Sequence, residues 1–221
     1  MKPLIHSPTS PAPWRVRSLL PVMLLFILLS ACSSMLAPVP QVTPARYAFE
    51  VASPPVRMSV AGAPVLVVNP LRAASGYGSH HMLYVRKTQQ LEYFAQNEWV
   101  DTPANMLLPL LVGSLANSGI YAAVLPASAS AQGQLTLDVE LVRLQQEFTT
   151  VPSEVHATLR VALLDSNTRQ VLAWRELDAK VAATTDNPYG GVLATRAVLQ
   201  SLLQQITEFC RQTGWPKPVA P

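Results

Sequence analysis

Alternation between apolar and polar positions is clearest between residues 135 and 163. Leu135, Leu137, Val139 and Leu141 share one parity, and Thr136, Asp138 and Glu140 the other, which predicts a strand with one apolar face. Val155, Ala157, Leu159, Val161 and Leu163 repeat the pattern against His156, Thr158 and Arg160. Asp165 to Arg169 reads as a turn, and a third strand is predicted from Gln170 toward Ala183. Consecutive strands with short connections favour antiparallel pairing. One-sided alternation predicts a sheet with one face covered and the other wet or used for assembly. Earlier in the chain, Ala45 to Ala52 and the apolar run Ala63 to Pro70 predict two strands, and Gly76 and Gly78 mark a loop. His81 to Lys87 and Leu91 to Ala95 predict a hairpin around Thr88 to Gln90, and Ile120 to Leu125 a short strand.

Twice the period changes to that of a helix. Asp101 or Thr102 caps the first, with Pro103 at its first position and Leu107, Leu111 and Leu115 as an apolar stripe. Pro109 predicts a bend or a restart, and Gly119 a stop. The second helix starts at Asp186 or Asn187 with Pro188 behind it. It carries Leu199, Leu202, Leu203, Ile206, Phe209 and Cys210 on one stripe, and ends at Gly214 and Pro216. The sum is an α+β fold, a mostly antiparallel sheet with two main helices packed on one face. Ala127 to Gln134 reads as a flexible turn.

The first 31 residues have a different pattern. Residues 1–18 hold Lys2, Arg15 and Arg17 and no acid, and the apolar run Leu19 to Leu29 that follows is too short for a membrane span. A basic start, a short apolar core and small residues at the exit make a secretory leader. "LSAC", Leu29 to Cys32, resembles the bacterial lipobox, in which the cysteine is lipidated and becomes the first residue of the mature chain. The expected organisation is a removed leader over 1–31, a proline-rich tether over 32–44, one domain over 45–214 and a flexible tail over 215–221. Ser33, rather than Asp, after the cysteine favours the periplasmic face of the outer membrane over inner-membrane retention.

Removal of the leader changes the charge. The chain has 16 basic and 13 acidic residues, and loss of the three leader cations leaves 13 against 13. A formally neutral chain does not call for a nucleic-acid partner, which needs a basic patch. With Cys32 lipidated, Cys210 has no partner within the chain, so it is either buried or available to another chain.

Candidate chemistry is sparse. His80 and His81 are neighbours, whose side chains on a strand would point to opposite faces, and His156 is placed on the wet face. No Cys or His spacing matches a zinc pattern, no phosphate loop is present and no serine sits in a nucleophile elbow. Asp138 and Glu140 share a face, which a solvated sheet explains. The expectation is therefore no enzyme, no catalytic residue, no metal and no cofactor. Residues 84–101 instead concentrate Tyr84, Arg86, Tyr93, Phe94 and Trp99, residue types enriched at interface centres. They form the candidate partner interface, with some of the rings left to fill the core.

That segment also carries a resemblance. Tyr84, Arg86, Leu91, Glu92, Tyr93, Trp99, Asp101, Pro103, Met106 and Leu107, followed by Leu137 to Phe148 and Leu163 to Leu177, are similar in order and spacing to the ABC-type transport auxiliary lipoproteins, the PqiC-like family. The resemblance covers most of residues 45–213. It implies a lipid-anchored, periplasm-facing adaptor of transport systems that contain MCE-domain proteins and move lipids or other apolar molecules. It implies no catalytic residues. The partners it implies are an MCE-domain protein with its ABC permease and ATPase, and the membrane through the lipid on Cys32. Self-association stays open. The competing reading is an outer-membrane assembly or envelope-structure lipoprotein unrelated to ABC transport.

Overall fold

The computed structural model describes residues 43–52, 55, 57–59, 61–127 and 132–215. The leader, Cys32 and all but the last two residues of the predicted tether lie outside the described residues, as do residues 128–131 of the predicted turn and 216–221 of the tail.

Three long strands organise the sheet: β7 (Leu135–Glu147), β8 (Glu154–Asp165) and β9 (Val171–Ala182). They pair antiparallel in sequence order, with Leu141 opposite Leu159 and Leu159 opposite Leu177. Short connections allow this pairing, as the alternation predicts. The other edge of β7 takes three short strands in turn, all parallel to it. These are β2 (Val65–Val68) at Leu135, β3 (Arg72–Ala73) at Glu140 and β4 (His81–Lys87) at Gln146. Outward from them, β5 (Gln90–Trp99) runs antiparallel to β4, and β1 (Ala45–Tyr47) parallel to β5. β6 (Ala123–Pro126) runs parallel to β2. The parallel pairs join strands far apart in sequence, whose connections are long enough to return the chain to the same end of the sheet.

The predicted strand over Ala45 to Ala52 is shorter than expected, ending at Tyr47, and the one over Ile120 to Leu125 begins later, at Ala123. β7 changes phase at an irregularity between Leu141 and Arg143. Before it the odd positions face the core. After it Leu144 and Gln146 do, and Arg143, Gln145 and Glu147 turn outward. One extra residue in a strand has this effect because side chains alternate with period two.

Helix α1 (Pro103–Ala116) is capped by Thr102, whose side chain accepts from the Asn105 amide. It continues through Pro109 as one helix rather than restarting there. The carbonyl four residues before Pro109 belongs to Asn105, which is exposed, so water can take the hydrogen bond the proline cannot donate. The turn after α1 needs glycine twice over. Gly119 has φ +72°, and a Cβ there would stand 2.8 Å from the Met58 carbonyl oxygen.

Helix α2 (Pro188–Thr213) starts at Asn187, whose side chain accepts from the Gly190 amide at 2.9 Å, and ends at Gly214. Its stripe of Val198, Leu199, Leu202, Ile206 and Phe209 packs over β8 and β9, in one core with Leu107, Leu111 and Leu115 of α1. Cys210 lies in this core as a free thiol, and burial pushes it up to about 11. A thiol so enclosed is out of reach of an intermolecular bridge. Among the described residues no helix is long and apolar enough to cross a membrane.

Candidate partner surface

The β4–β5 hairpin divides its aromatic residues between two jobs. Trp99 is only 5% exposed and meets Phe49 edge to face, with ring centroids 5.4 Å apart, so it is a core ring. Tyr84 and Phe94 are half-buried at the outer end of the helix-covered face. Their centroids are 4.4 Å apart, and Phe148 closes a cluster of three rings. Tyr93, on the opposite face, is 57% exposed and stacks on His81 at 4.4 Å.

Arg86 stands over the Tyr84 ring, 5.3 Å from its centroid, and makes an ion pair with Glu92. The Tyr84 hydroxyl donates to the same carboxylate at 3.1 Å. Arg86, with help from Tyr84, holds the Glu92 carboxyl below its usual range. The pair lies across the two strands, so it ties the hairpin to a fixed shape and presents an exposed guanidinium next to aromatic edges. Leu91, also exposed, lies on the face of Tyr93 and carries that surface toward the turn, where Gln89 takes φ +68°.

The outer face of β7, β8 and β9 is the second surface, and it differs from expectation. His156 is only 6% exposed rather than wet. Its Nδ1 lies 2.9 Å from Glu147 Oε1 and its Nε2 2.7 Å from Asp178 Oδ1, while Arg143 Nη1 stands 3.0 Å from Nδ1. Thr158 donates to Asp178 at 2.6 Å, and Lys180 bridges Glu147 and Glu154 at 3.1 and 2.7 Å.

Burial raises the Glu147 carboxyl, but Gln145, His156 and Lys180 outweigh it, and the net direction is down. Asp178 behaves alike: burial raises it, and Thr158 and His156 bring it below its usual range. Further along, Arg160 joins Glu140 and Glu176, and Asn69 donates to Asp138 at 2.6 Å. Asp138 and Glu140 thus have separate partners. Beyond them Trp174 stands 65% exposed. Sequence reasoning missed this network because cross-strand neighbours are fixed by register. Polar residues at every second position signalled only that the face was polar.

His80 precedes β4, so strand alternation does not separate it from His81, and the two rings are 5.0 Å apart. His80 Nε2 pairs with Glu98 at 3.0 Å. Among the described residues no group of three or more His, Cys, Asp or Glu side chains is placed to hold a metal ion.

Comparison with solved structures places the fold. A crystal structure from Xanthomonas campestris, of family DUF330, superposes with a TM-score of 0.70 at 19% identity, covering 77% of this chain and 96% of that one. An uncharacterized protein gives a TM-score of 0.61 at 14% identity, over 76% and 98%. No curated protein matches. The class these likenesses define is a single α+β module with a helix-covered sheet. Residues 47–207 match the sequence model of the ABC-type transport auxiliary lipoprotein components, and the chain belongs to that family. The family comprises auxiliary parts of transport systems, anchored in the envelope as lipoproteins.

Proposed function

We propose that the protein is a periplasm-facing adaptor, held by lipid on Cys32 at the outer membrane, that serves an ABC transport system with an MCE-domain component. It acts by binding its partners and not by catalysis, and the system moves lipids or other apolar molecules. The family match over residues 47–207 carries this reading. "LSAC" before a proline-rich segment supports the anchor, with residues 1–31 removed, 32–44 as tether and 215–221 as tail. Acyl chains hold such an anchor with about 0.8 kcal/mol per buried CH₂.

Within the adaptor, the β4–β5 hairpin is the partner contact. Tyr93, Arg86 and the edges of Tyr84 and Phe94 meet the MCE protein or its permease, and Trp99 supports them from the core. The test is affinity capture of the tagged protein from solubilised membranes. Recovery of an MCE, permease or ATPase component, weakened by Tyr93→Ala, is the expected result. Capture that returns none of them would sink the proposal. Cys32→Ala is expected to leave the domain folded but unprocessed and misplaced, and a variant that still fractionates with the outer membrane would remove the anchor.

A further inference from the structure

Between α1 and α2, closed on one side by Val51, Ala52, Pro55 and Arg57, runs a groove of about 690 Å³. That volume lies within the roughly 300–1,000 Å³ of small-molecule sites. Val51, Pro109, Leu110 and Leu203 supply apolar walls. The two helices meet across it at Ser114 Oγ and Thr207 Oγ1, 3.5 Å apart. Among the described residues no aromatic side chain lines it, nor does any of the exposed large apolar ones. Protein interfaces are built around such anchors, so the groove is unlike a protein-docking surface.

Gly113, which lines this groove in the last turn of α1, shows what the shape serves. Glycine is a poor helix former. Gly113 has an ordinary helical backbone with no positive φ, and a Cβ added to it would meet nothing within 4 Å. Neither the backbone nor the packing asks for glycine there. What its missing side chain provides is depth in the groove.

Charge supplies the second element. Arg211 at the rim is paired with Glu208. Arg57, also at the rim, has no ion-pair partner among the described residues. Its backbone is held in place. Its amide donates to the Asn117 carbonyl at the end of α1 at 2.9 Å, and its Cβ packs against Gly119. A trough with apolar walls and, at its mouth, an arginine that has no ion-pair partner among the described residues matches a molecule with an apolar chain and an acidic head.

We infer that this groove binds a fatty-acid-type anionic amphiphile, its chain over Gly113 and its carboxylate at Arg57. The site goes beyond the adaptor role and does not depend on it. Full-length protein held in amphipol is titrated with the fluorescent fatty acid dansylaminoundecanoate and, in parallel, with its uncharged methyl ester, protein-free amphipol serving as blank. Saturable binding of the acid is expected for the wild type. Gly113→Phe is expected to weaken it by about tenfold or more without lowering Tm, with Gly113→Leu as the milder filler if the larger ring disturbs folding. Arg57→Ala is expected to weaken the acid about fivefold or more and to spare the ester.

Oleate should displace the probe, and phosphatidylglycerol should not. Absence of saturable binding, or binding untouched by either filled-groove variant that still melts normally, overturns the inference. Equal loss of both probes in Arg57→Ala overturns the placement of the head. Displacement by phosphatidylglycerol in preference to oleate overturns the fatty-acid assignment. Affinity capture of transport components with Gly113→Phe is run alongside. Retained capture with lost probe binding separates failure of this site from failure of the adaptor reading.

Discussion

The two faces of β7, β8 and β9 come from the same thirty-odd residues and are stabilised in opposite ways. Inward, Leu137, Leu141, Leu159, Val161 and Leu163 are fully enclosed against α2 and α1. Outward, His156 is almost as buried, yet what encloses it is Glu147, Asp178, Arg143 and Lys180. The inner face gains from removing apolar area from water, at about 25 cal/mol per Å². The outer face gains only from the geometry of its pairs, because a buried charge needs a partner to offset desolvation. The lesson is that burial on one side of a sheet does not need a second layer. A lattice of charged side chains can cover its own centre.

Substitutions sharpen that contrast. The largest effect is expected inside. Leu159→Ala should lower stability by about 2–5 kcal/mol, and Trp99→Ala by about 3–5 kcal/mol, through lost transfer energy and the cavity left behind. Chemical denaturation measures both. Retention of wild-type stability by Trp99→Ala would return that ring to the partner surface.

Three residues from Leu159 on the same strand, His156→Ala is expected to cost less, about 1–3 kcal/mol, by stripping a partner from the Glu147 and Asp178 carboxylates. A loss as large as that of Leu159→Ala would mean that the network is a second core.

Acid should separate the faces further. The Glu147 and Asp178 carboxyls are held below their ordinary values of 4.5 and 3.8. Their contribution is therefore complete above those values and is lost as pH falls through the lower folded ones. Denaturation midpoints followed from pH 6 to pH 3 should drop for the wild type and drop less for His156→Ala, whose network is already broken. Parallel curves would dismiss the linkage. The smallest effect belongs to Trp174→Ala, on the outer face and mostly exposed, where stability should change by no more than about 0.5 kcal/mol. A larger loss by thermal melt would show that this ring supports the edge strand.

Much of this was legible before the fold. Period-two runs located β7 and β8, the turn at Asp165 to Arg169 announced β9, and the leucine stripes and Pro–cap signals located α1 and α2 at Pro103 and Pro188. Such patterns are local consequences of which side chains must leave water. The short strands were less legible. β3 is two residues long, and no pattern of that length stands out. The division of the hairpin was readable only as a choice, since Trp99 and Tyr93 are chemically alike and their opposite fates follow from where Phe49 and His81 stand.

By itself, then, the sequence determined the α+β class, the antiparallel core of three strands, the helix that carries Cys210 inward, and membership of a lipoprotein family through ordered motifs. Tertiary structure alone decided the parallel pairing of β2, β3 and β4 along one edge of β7, the two carboxylates that hold His156 and the open groove over Gly113. The reason is physical. Burial preference is a property of each residue and is written in order along the chain. Pairing, register and empty space are relations between residues far apart, and only the folded chain brings them together.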